Sequence, residues 1–287
     1  MKPNNLITLR VWGDFACFTR PEMKVERVSY PVMTPSAARG ILEAVFWEPQ
    51  MFYLVDSIRV VKRGGWISIR RNEVTKVISL DSAKTWMKEP DKTTPIQAGG
   101  GADDGTQRNM LALQNVEYLV SAEVRVTPLA NRLEDTREKY LDEIERRARA
   151  GKCFHRPGLG MREFAADFDW EPDAEAALQR RSVELSQSAG QFTEDLGLML
   201  YDVFDHRERA HGFRWLRDDE ISNAAISNPA PKGRSRPHAA RRDADAPRWT
   251  RPPIKPQPAF FHARVEQSKL DCHPERIHIL APQTGEQ

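Results

Sequence analysis

The feature that most constrains the fold is a helix with well-defined ends close to the N-terminus. Thr34-Pro35 predicts its start, because the threonine hydroxyl can accept hydrogen bonds from free amides and proline at the first helical position lacks no needed donor. Glu48-Pro49 predicts its end. Phe46 falls outside the apolar stripe that would face a core. It would therefore either pack against a second domain or stack on a nucleic-acid base.

Strand patterns lie on both sides of this helix. Alternating apolar and polar residues over Leu6–Trp12 predict a half-buried strand before it. Two strand-like runs follow it, Met51–Lys62 and Trp66–Val74, and the intervening Arg63-Gly64-Gly65 predicts a hairpin. A polar excursion over 75–106 then leads to a long strand predicted over Leu111–Thr127. This order predicts an α+β fold of the split βαβ, ferredoxin-like (RRM-like) kind.

A second helix is predicted between Asp135, its expected N-cap, and Gly151, which would stop it. Its apolar stripe contains Tyr140, Ile144 and Ala148. The segment 151–160 follows, with three glycines and several basic side chains. Its free amides could line a phosphate path, and the alternative is a plain connecting loop.

Charged residues and prolines are distributed unevenly along the chain. The net charge is only +2, but residues 228–287 hold 11 Lys and Arg against 6 Asp and Glu, together with 10 of the 20 prolines. This composition predicts an extended or disordered basic tail. We therefore expect three parts: a domain over 1–130, a second over 131–227 and the tail over 228–287.

Several classes of protein are disfavoured by composition. The three cysteines, Cys17, Cys153 and Cys272, are odd in number and never spaced as CxxC, which argues against a disulfide scaffold or a four-thiolate zinc site. No run reaches the roughly 18 apolar residues of a membrane helix. We expect a cytoplasmic protein with no metal, no cofactor and no membrane association.

Several segments closely resemble one protein family. The segments that carry the resemblance are 13–30, 33–44, Arg70–Val74, Gln107–Asn109, Arg146–Gly151 and Leu159–Phe164, in that order. They resemble the CRISPR-associated Cas5 family of subtype I-C, also called the Dvulg subtype. The similarity runs from about residue 6 to residue 222, and family members usually stop near the position of Ile221, so the tail is expected to depart from the family.

The resemblance implies an RNA-binding protein of the RAMP superfamily, with a ferredoxin-like N-terminal domain and a smaller, mostly β C-terminal domain. It implies cleavage of the repeat hairpin of precursor CRISPR RNA without metal, retention of the 5′ handle, and assembly with the backbone and large subunits of the surveillance complex. The family's catalytic tyrosine and Lys-His pair fall on Phe46, Lys139 and Tyr140 here, so only the lysine is kept. The expected catalytic set is therefore Lys139 as phosphate-binding cation, Tyr140 as proton donor or positioning group, and Phe46 by stacking.

The resemblance also implies RNA contacts for basic residues inside its motifs. These expected RNA-binding residues are Arg20, Lys24, Arg27, Arg39, Arg70, Arg71, Arg108 and Arg162, to which we add His155 as the nearest imidazole. For each arginine the alternative is a solvated surface or an ion pair. Three functions remain open: a repeat-specific endoribonuclease, a non-catalytic cap on the RNA handle, and a nonspecific duplex-DNA-binding protein that uses the tail.

Overall fold

The computed structural model describes residues 6–97, 101–126, 130, 133–184, 193–204 and 257–280. Their strands are β1 (Leu6–Ala16), β2 (Arg27–Val28), β3 (Met51–Lys62), β4 (Gly65–Val74), β5 (Gly105–Val126), β6 (Asp167–Trp170), β7 (Glu194–Phe204), β8 (Gln257–Glu266), β9 (Lys269–Asp271) and β10 (Ile279–Leu280). Their helices are α1 (Pro35–Val45), α2 (Leu80–Lys88), α3 (Arg137–Arg149) and α4 (Ala174–Glu184). The strands form one mostly antiparallel sheet in the order β10-β8-β9-β3-β5-β1-β6, with β2 and β4 attached to β5 and β7 attached to β8. The predicted mixture of helices with a sheet is confirmed.

The 22-residue strand β5 is the spine of this sheet. Along one edge it pairs with β1, and along the other it pairs first with β4 and then with β3. The predicted hairpin between β3 and β4 is wrong, because both strands run antiparallel to β5 and the chain passes from one to the other with a bend. Gly64 makes that bend at φ +77°, and a Cβ there would lie 2.2 Å from the Gln114 carbonyl oxygen. The glycine pair therefore marks a close backbone approach rather than a hairpin turn.

Two helices connect the central strands. The chain order is β1, α1, β3, β5, α3, β6, and the corresponding strands lie side by side as β6-β1-β5-β3. The predicted cap of α1 is confirmed, since Thr34 Oγ1 accepts from the Ala37 amide at 3.3 Å. For α3 the cap is Thr136 rather than Asp135, with Thr136 Oγ1 accepting from the Lys139 amide. Asp135 is displaced from that role because its carboxylate is bound elsewhere, as described below.

The excursion between β4 and β5 is shorter and more ordered than the sequence predicts. It contains α2, capped by Ser79, and a short 3-10 turn at Pro90–Lys92, and β5 begins at Gly105 instead of Leu111. Residues 98–100 of this excursion lie outside the described part. No helix in the described ranges has the length and apolar character needed to span a membrane.

The C-terminal segment belongs to the sheet. Strand β8 lies between β7 and β10, and β9 pairs with β3. Phe261, Ala263 and Val265 are buried in the main core. The prediction of an extended tail is therefore wrong for 257–280. That prediction rested on the composition of 228–287 as a whole, in which the prolines and arginines before residue 257 predominate. Within β8 itself, apolar and polar residues alternate. Residues 228–256 and 281–287 of the predicted tail lie outside the described part.

Strands from both sides of the expected domain boundary at residue 130 contribute to the same sheet. A buried carboxylate also connects the two sides. Glu117 of β5, 4% exposed, receives two hydrogen bonds of 2.7 Å from Arg181 of α4 and one of 2.7 Å from Arg10 of β1. Burial alone would raise the pKa of Glu117, but the hydrogen bonds from Arg181 and Arg10 outweigh it and hold this pKa below its ordinary 4.5.

The Glu117 cluster predicts an acid-sensitive contribution to stability. A carboxylate with a lowered pKa stabilises the fold above its unfolded pKa, and this contribution is lost as the pH falls through the folded pKa. Glu117→Gln should lower the free energy of unfolding by about 3 kcal/mol at neutral pH, because Arg10 and Arg181 lose their buried carboxylate. In urea titrations between about pH 3 and pH 7, the gap between the two proteins should shrink below the ordinary pKa of 4.5. Glu184→Gln, at an exposed partner of Arg181, is the control; an equal pH profile for both variants would contradict the assignment.

The burial of β8 predicts that the C-terminal segment stabilises the whole fold. Phe261→Ala should reduce the free energy of unfolding by about 3–5 kcal/mol, because it leaves a cavity in the main core. His262→Ala, at the exposed neighbouring position, should change it by less than about 0.5 kcal/mol. Chemical denaturation compares the two, and an equally small effect at Phe261 would show that the segment is not part of the cooperative unit.

Candidate nucleic-acid interface

Three aromatic rings meet where α1 ends; we call them the aromatic cluster: Phe46, Tyr140 and Phe154. Phe46 is the C-cap of α1 and is only 2% exposed. Its ring centroid lies 6.4 Å from that of Tyr140 and 6.0 Å from that of Phe154. Of the two alternatives for Phe46, the structure therefore favours packing, here against α3 and the segment that follows it, and the buried ring is not open to a base.

A buried carboxylate organises the first turn of α3. Asp135, whose side chain is 4% exposed, accepts from Lys139 Nζ at 3.2 Å and from the Tyr140 hydroxyl at 3.1 Å. Tyr140 is fully buried, whereas the Lys139 side chain keeps 41% of its surface exposed. The ammonium group of Lys139 therefore lies at the boundary between this carboxylate and solvent, 5.0 Å from the Tyr140 ring centroid. Such a cation can bind a phosphate from outside while the protein holds its position.

Residues 151–166, which we call the connecting segment, lead from the aromatic cluster towards the far end of β1. Near its start, the amides of Phe154 and His155 donate to the Ala44 carbonyl at 2.8 and 3.4 Å. Further on, the Cys17 amide donates to the Leu159 carbonyl at 3.0 Å. The amides of 154, 155, 159 and 160 all bond to protein carbonyls, so for them the connecting-loop alternative is favoured over a phosphate path. The His155 side chain is exposed beside the aromatic cluster.

The connecting segment next reaches an arm formed by β2, β4 and the first half of β5, which we call the basic arm. Arg71 and Arg108 lie directly opposite each other in the β4–β5 register, and Arg27 pairs with the position two residues after Arg108, so the three arginines share one face. Like charges in opposite positions cost stability unless anions neutralise them. Glu73 contacts Arg71 and lies 4.0 Å from Arg27, and Glu26 lies 3.7 Å from Arg108.

The arm and the connecting segment are in direct contact. Arg27 Nη1 lies 3.5 Å from the sulfur of Met161, and Phe164 packs with Met161 against the apolar part of the arm. Arg162, beside Met161, is exposed, as is Lys24. Arg20 has its guanidinium 4.6 Å from the Tyr30 ring centroid and 3.8 Å from Glu22. The exposed Arg70 pairs with Asn109, which places it on the opposite face of the arm from Arg71.

Among the expected RNA-binding residues, Arg39 is the one whose guanidinium is bound most completely by other protein side chains. Its guanidinium donates two hydrogen bonds to Asp202 of β7, at 2.7 and 2.9 Å, and one to Glu43 at 2.7 Å. Burial alone would lower the pKa of Arg39, but Asp202 and Glu43 outweigh it and raise that pKa. The ion-pair alternative is therefore favoured for Arg39, which fastens α1 to β7.

The described residues include no group of three His, Cys, Asp or Glu side chains placed to hold a metal ion. Sequence reasoning missed two participants, Asp135 as an ion-pair partner and Phe154. The spacing of Asp135 four residues before Lys139 was a usable signal, since such pairs meet on a helix or at its start.

Comparisons with known proteins identify the family. Residues 6–238 match the family described as CRISPR-associated protein (Cas_Cas5). A relative from Mannheimia succiniciproducens, named CRISPR pre-crRNA endoribonuclease Cas5d, is 42% identical over 230 residues, which cover 78% of this chain and 95% of the relative. The chain belongs to the CRISPR-associated Cas5 family. The resemblance noted in its motifs is thereby confirmed.

A second Cas5d relative bears on the C-terminal segment. It comes from Thermus thermophilus, has the same name, and is 35% identical over 274 residues, which are 96% of this chain and 94% of the relative. A match of that extent includes most of 228–287, so the expectation that this part departs from the family is wrong for this relative. A solved structure titled "Crystal Structure of CRISPR-associated Protein" covers 93% of this Cas5 chain and 90% of its own, with a TM-score of 0.50 and 16% identity. That likeness concerns the fold alone.

The contrast between Arg39 and the basic arm predicts different salt dependences of RNA binding. Arg108→Ala should flatten the slope of log Kd against log salt by about 0.7, the effect of one phosphate contact on a single strand. The double variant Arg39→Met/Asp202→Leu removes an internal ion pair and should leave the slope unchanged. Titrations of repeat RNA at several salt concentrations, with melting curves to verify folding, measure both. An unchanged slope for Arg108→Ala, or a flattened one for the double variant, would contradict the assignments.

Proposed function

We propose that this Cas5 protein binds the repeat hairpin of precursor CRISPR RNA and cleaves it as a metal-independent endoribonuclease. The observation that carries the proposal is the 42% identity to a relative named CRISPR pre-crRNA endoribonuclease, over 95% of that relative. After cleavage the protein stays on the 5′ handle and joins the backbone and large subunits of a surveillance complex. Its place of action is the cytoplasm.

The proposal includes a ferredoxin-like unit of the RAMP kind. The chain order β1, α1, β3, β5, α3, β6 and the spatial order β6-β1-β5-β3 support it, because this is the arrangement of two interleaved βαβ units. Strands β7 to β10 extend the same sheet beyond β3. They represent the mostly β C-terminal part that the resemblance implies.

In the proposed reaction, a ribose 2′-hydroxyl attacks the adjacent phosphorus in line. The 2′-oxygen–phosphorus bond forms, the bond to the 5′-oxygen breaks, and the product carries a 2′,3′-cyclic phosphate. The 2′-hydroxyl proton leaves to a base, and the departing 5′-oxygen takes up a proton. Lys139 stabilises the additional negative charge on the phosphorane, since its ammonium group is half-exposed and anchored by Asp135.

The remaining residues of the expected catalytic set take supporting roles in this proposal. Tyr140 acts as a positioning residue, because its buried hydroxyl donates to Asp135. Phe46 has no hydroxyl to donate and supports the cluster from inside the core. His155 has an exposed imidazole, a side chain able to take up and release a proton, so it is the proposed proton-transfer group near the cluster.

The RNA would follow the connecting segment. The aromatic cluster and Lys139 lie at its start, and Arg27, Arg71 and Arg108 of the basic arm lie at its far end, where Arg27 touches Met161. A backbone crossing this surface meets cations at both ends. Arg20, Lys24 and Arg162 supply further contacts around the arm, while Arg70 would contact RNA only from the opposite face.

A second candidate function is a non-catalytic subunit that caps the crRNA handle. It is favoured by the loss of a hydroxyl at Phe46 and by the burial of Tyr140, because neither residue can transfer a proton to solvent-exposed RNA. Nonspecific binding of duplex DNA through the basic residues of 228–256 stays a prediction, since these residues lie outside the described part.

Cleavage of repeat RNA in EDTA separates the two functions. The wild-type protein should release one discrete fragment ending in a 2′,3′-cyclic phosphate, and Lys139→Ala should slow this release by about 100-fold or more, because a donor to the developing charge is lost. Lys84→Ala, at an exposed lysine of α2, should cleave at the wild-type rate. Cleavage by Lys139→Ala at an unchanged rate would remove Lys139 from the mechanism. Tight binding of the repeat without any cleavage by the wild type would instead establish the handle-capping function.

A further inference from the structure

Phe154 has an unusual environment for a phenylalanine. It is 56% exposed, more than any other phenylalanine, tyrosine or tryptophan in the ranges that the structure describes. Its backbone is nevertheless fixed, because the Phe154 amide donates to the Ala44 carbonyl at 2.8 Å. An exposed apolar ring on a fixed backbone offers a flat face against which a planar ligand can stack.

Side chains at the end of α1 and on α3 contact the ring. Phe46 stacks against it with an interplanar angle of 28° and a centroid distance of 6.0 Å. The guanidinium of Arg147 lies 4.4 Å from the Phe154 centroid and 5.4 Å from that of Phe46, and it is itself held by Glu143 at 3.0 Å. The side chain is therefore ordered in advance, which lowers the entropic cost of binding a flat ligand.

The surroundings of the ring select the chemistry of that ligand. The exposed side chains next to Phe154 in the chain are Lys152, His155 and Arg156, and Arg147 lies over the ring. An aromatic face within a group of cations suits an unpaired nucleobase, whose π-face stacks on the ring while its phosphates meet the cations. An apolar protein surface would have to desolvate those same cations, which disfavours it.

We propose that Phe154 is the stacking platform for one unpaired base of the bound RNA. The proposal rests on the RNA-binding function proposed above and adds a base subsite to it. In this proposal the stacking function expected of Phe46 belongs to the neighbouring exposed ring of Phe154, and the buried Phe46 supports that ring from inside the core. Phe154, Phe46, Tyr140 and Lys139 form a continuous series in which neighbouring groups are 5.0–6.4 Å apart. The stacked base is thus part of the same site as the Lys139 ammonium group and fixes the RNA relative to it.

Stacking and phosphate contact leave different marks on binding, and this difference tests the proposal. Phe154→Leu should weaken binding of repeat RNA by about 5- to 100-fold, the usual effect of losing one base stack. The slope of log Kd against log salt should stay unchanged, because stacking releases no counterions. Phe154→Trp should restore the affinity, and Phe260→Leu, the same substitution at a partly buried ring of β8, should keep wild-type affinity.

A fluorescent base identifies the stacked nucleotide. Repeat RNAs that carry 2-aminopurine at one unpaired position at a time should include one whose fluorescence is quenched by the wild type and by Phe154→Trp but not by Phe154→Leu. If the wild type binds the repeat while Phe154→Leu binds equally well and quenches equally at every position, the base subsite is refuted and the RNA-binding function stands. If the wild type shows no preference for its repeat, the proposed function fails first, and the subsite with it.

Discussion

The backbone pairing of β5 is the interaction on which the remaining structure depends. One half of this strand lies in the core between β1 and β3, and the other half forms the basic arm with β2 and β4. Because a single extended strand runs through both, the position of the arginines on the arm is fixed by the packing of the core. The connecting segment joins the same two regions on the surface, because it bonds to the Ala44 carbonyl near its start and contacts Arg27 through Met161 further on. Both ends of the candidate interface, the aromatic cluster and the basic arm, are therefore positioned by the same sheet and the same connecting segment.

Local sequence signals predicted where the helices and strands lie better than they predicted which strands pair with each other. The cap at Thr34 and the apolar stripe of α3 are properties of a few neighbouring residues, and both were predictable. The pairing of β3 and β4 with β5 depends on residues about 30 to 75 positions away, which the glycines at 64 and 65 do not reveal. Strand β8 was missed for a different reason, because the composition of 228–287 as a whole concealed the alternation that places Phe261 in the core.

The site was predictable in its location more than in its roles. The motifs led to Lys139, Tyr140 and Phe46, which do lie together, and the apolar stripe of α3 indicated that Tyr140 faces the core, but for Phe46 the sequence left packing and base stacking as alternatives. The structure turns Phe46 and Tyr140 inward and leaves Lys139 and Phe154 at the surface. The ion pair of Arg39 was equally hard to predict, because its partner Asp202 is 163 residues away and no local sequence pattern indicates the contact.

The central claim is that RNA lies along one surface from the aromatic cluster to the basic arm. Photo-cross-linking of the full chain to its repeat RNA, followed by mass spectrometry of the linked peptides, tests this claim most directly. The account predicts cross-links in peptides containing residues 137–162 and in those from β4 and the first half of β5. Cross-links confined to β7–β10, with none at the connecting segment or the arm, would contradict it.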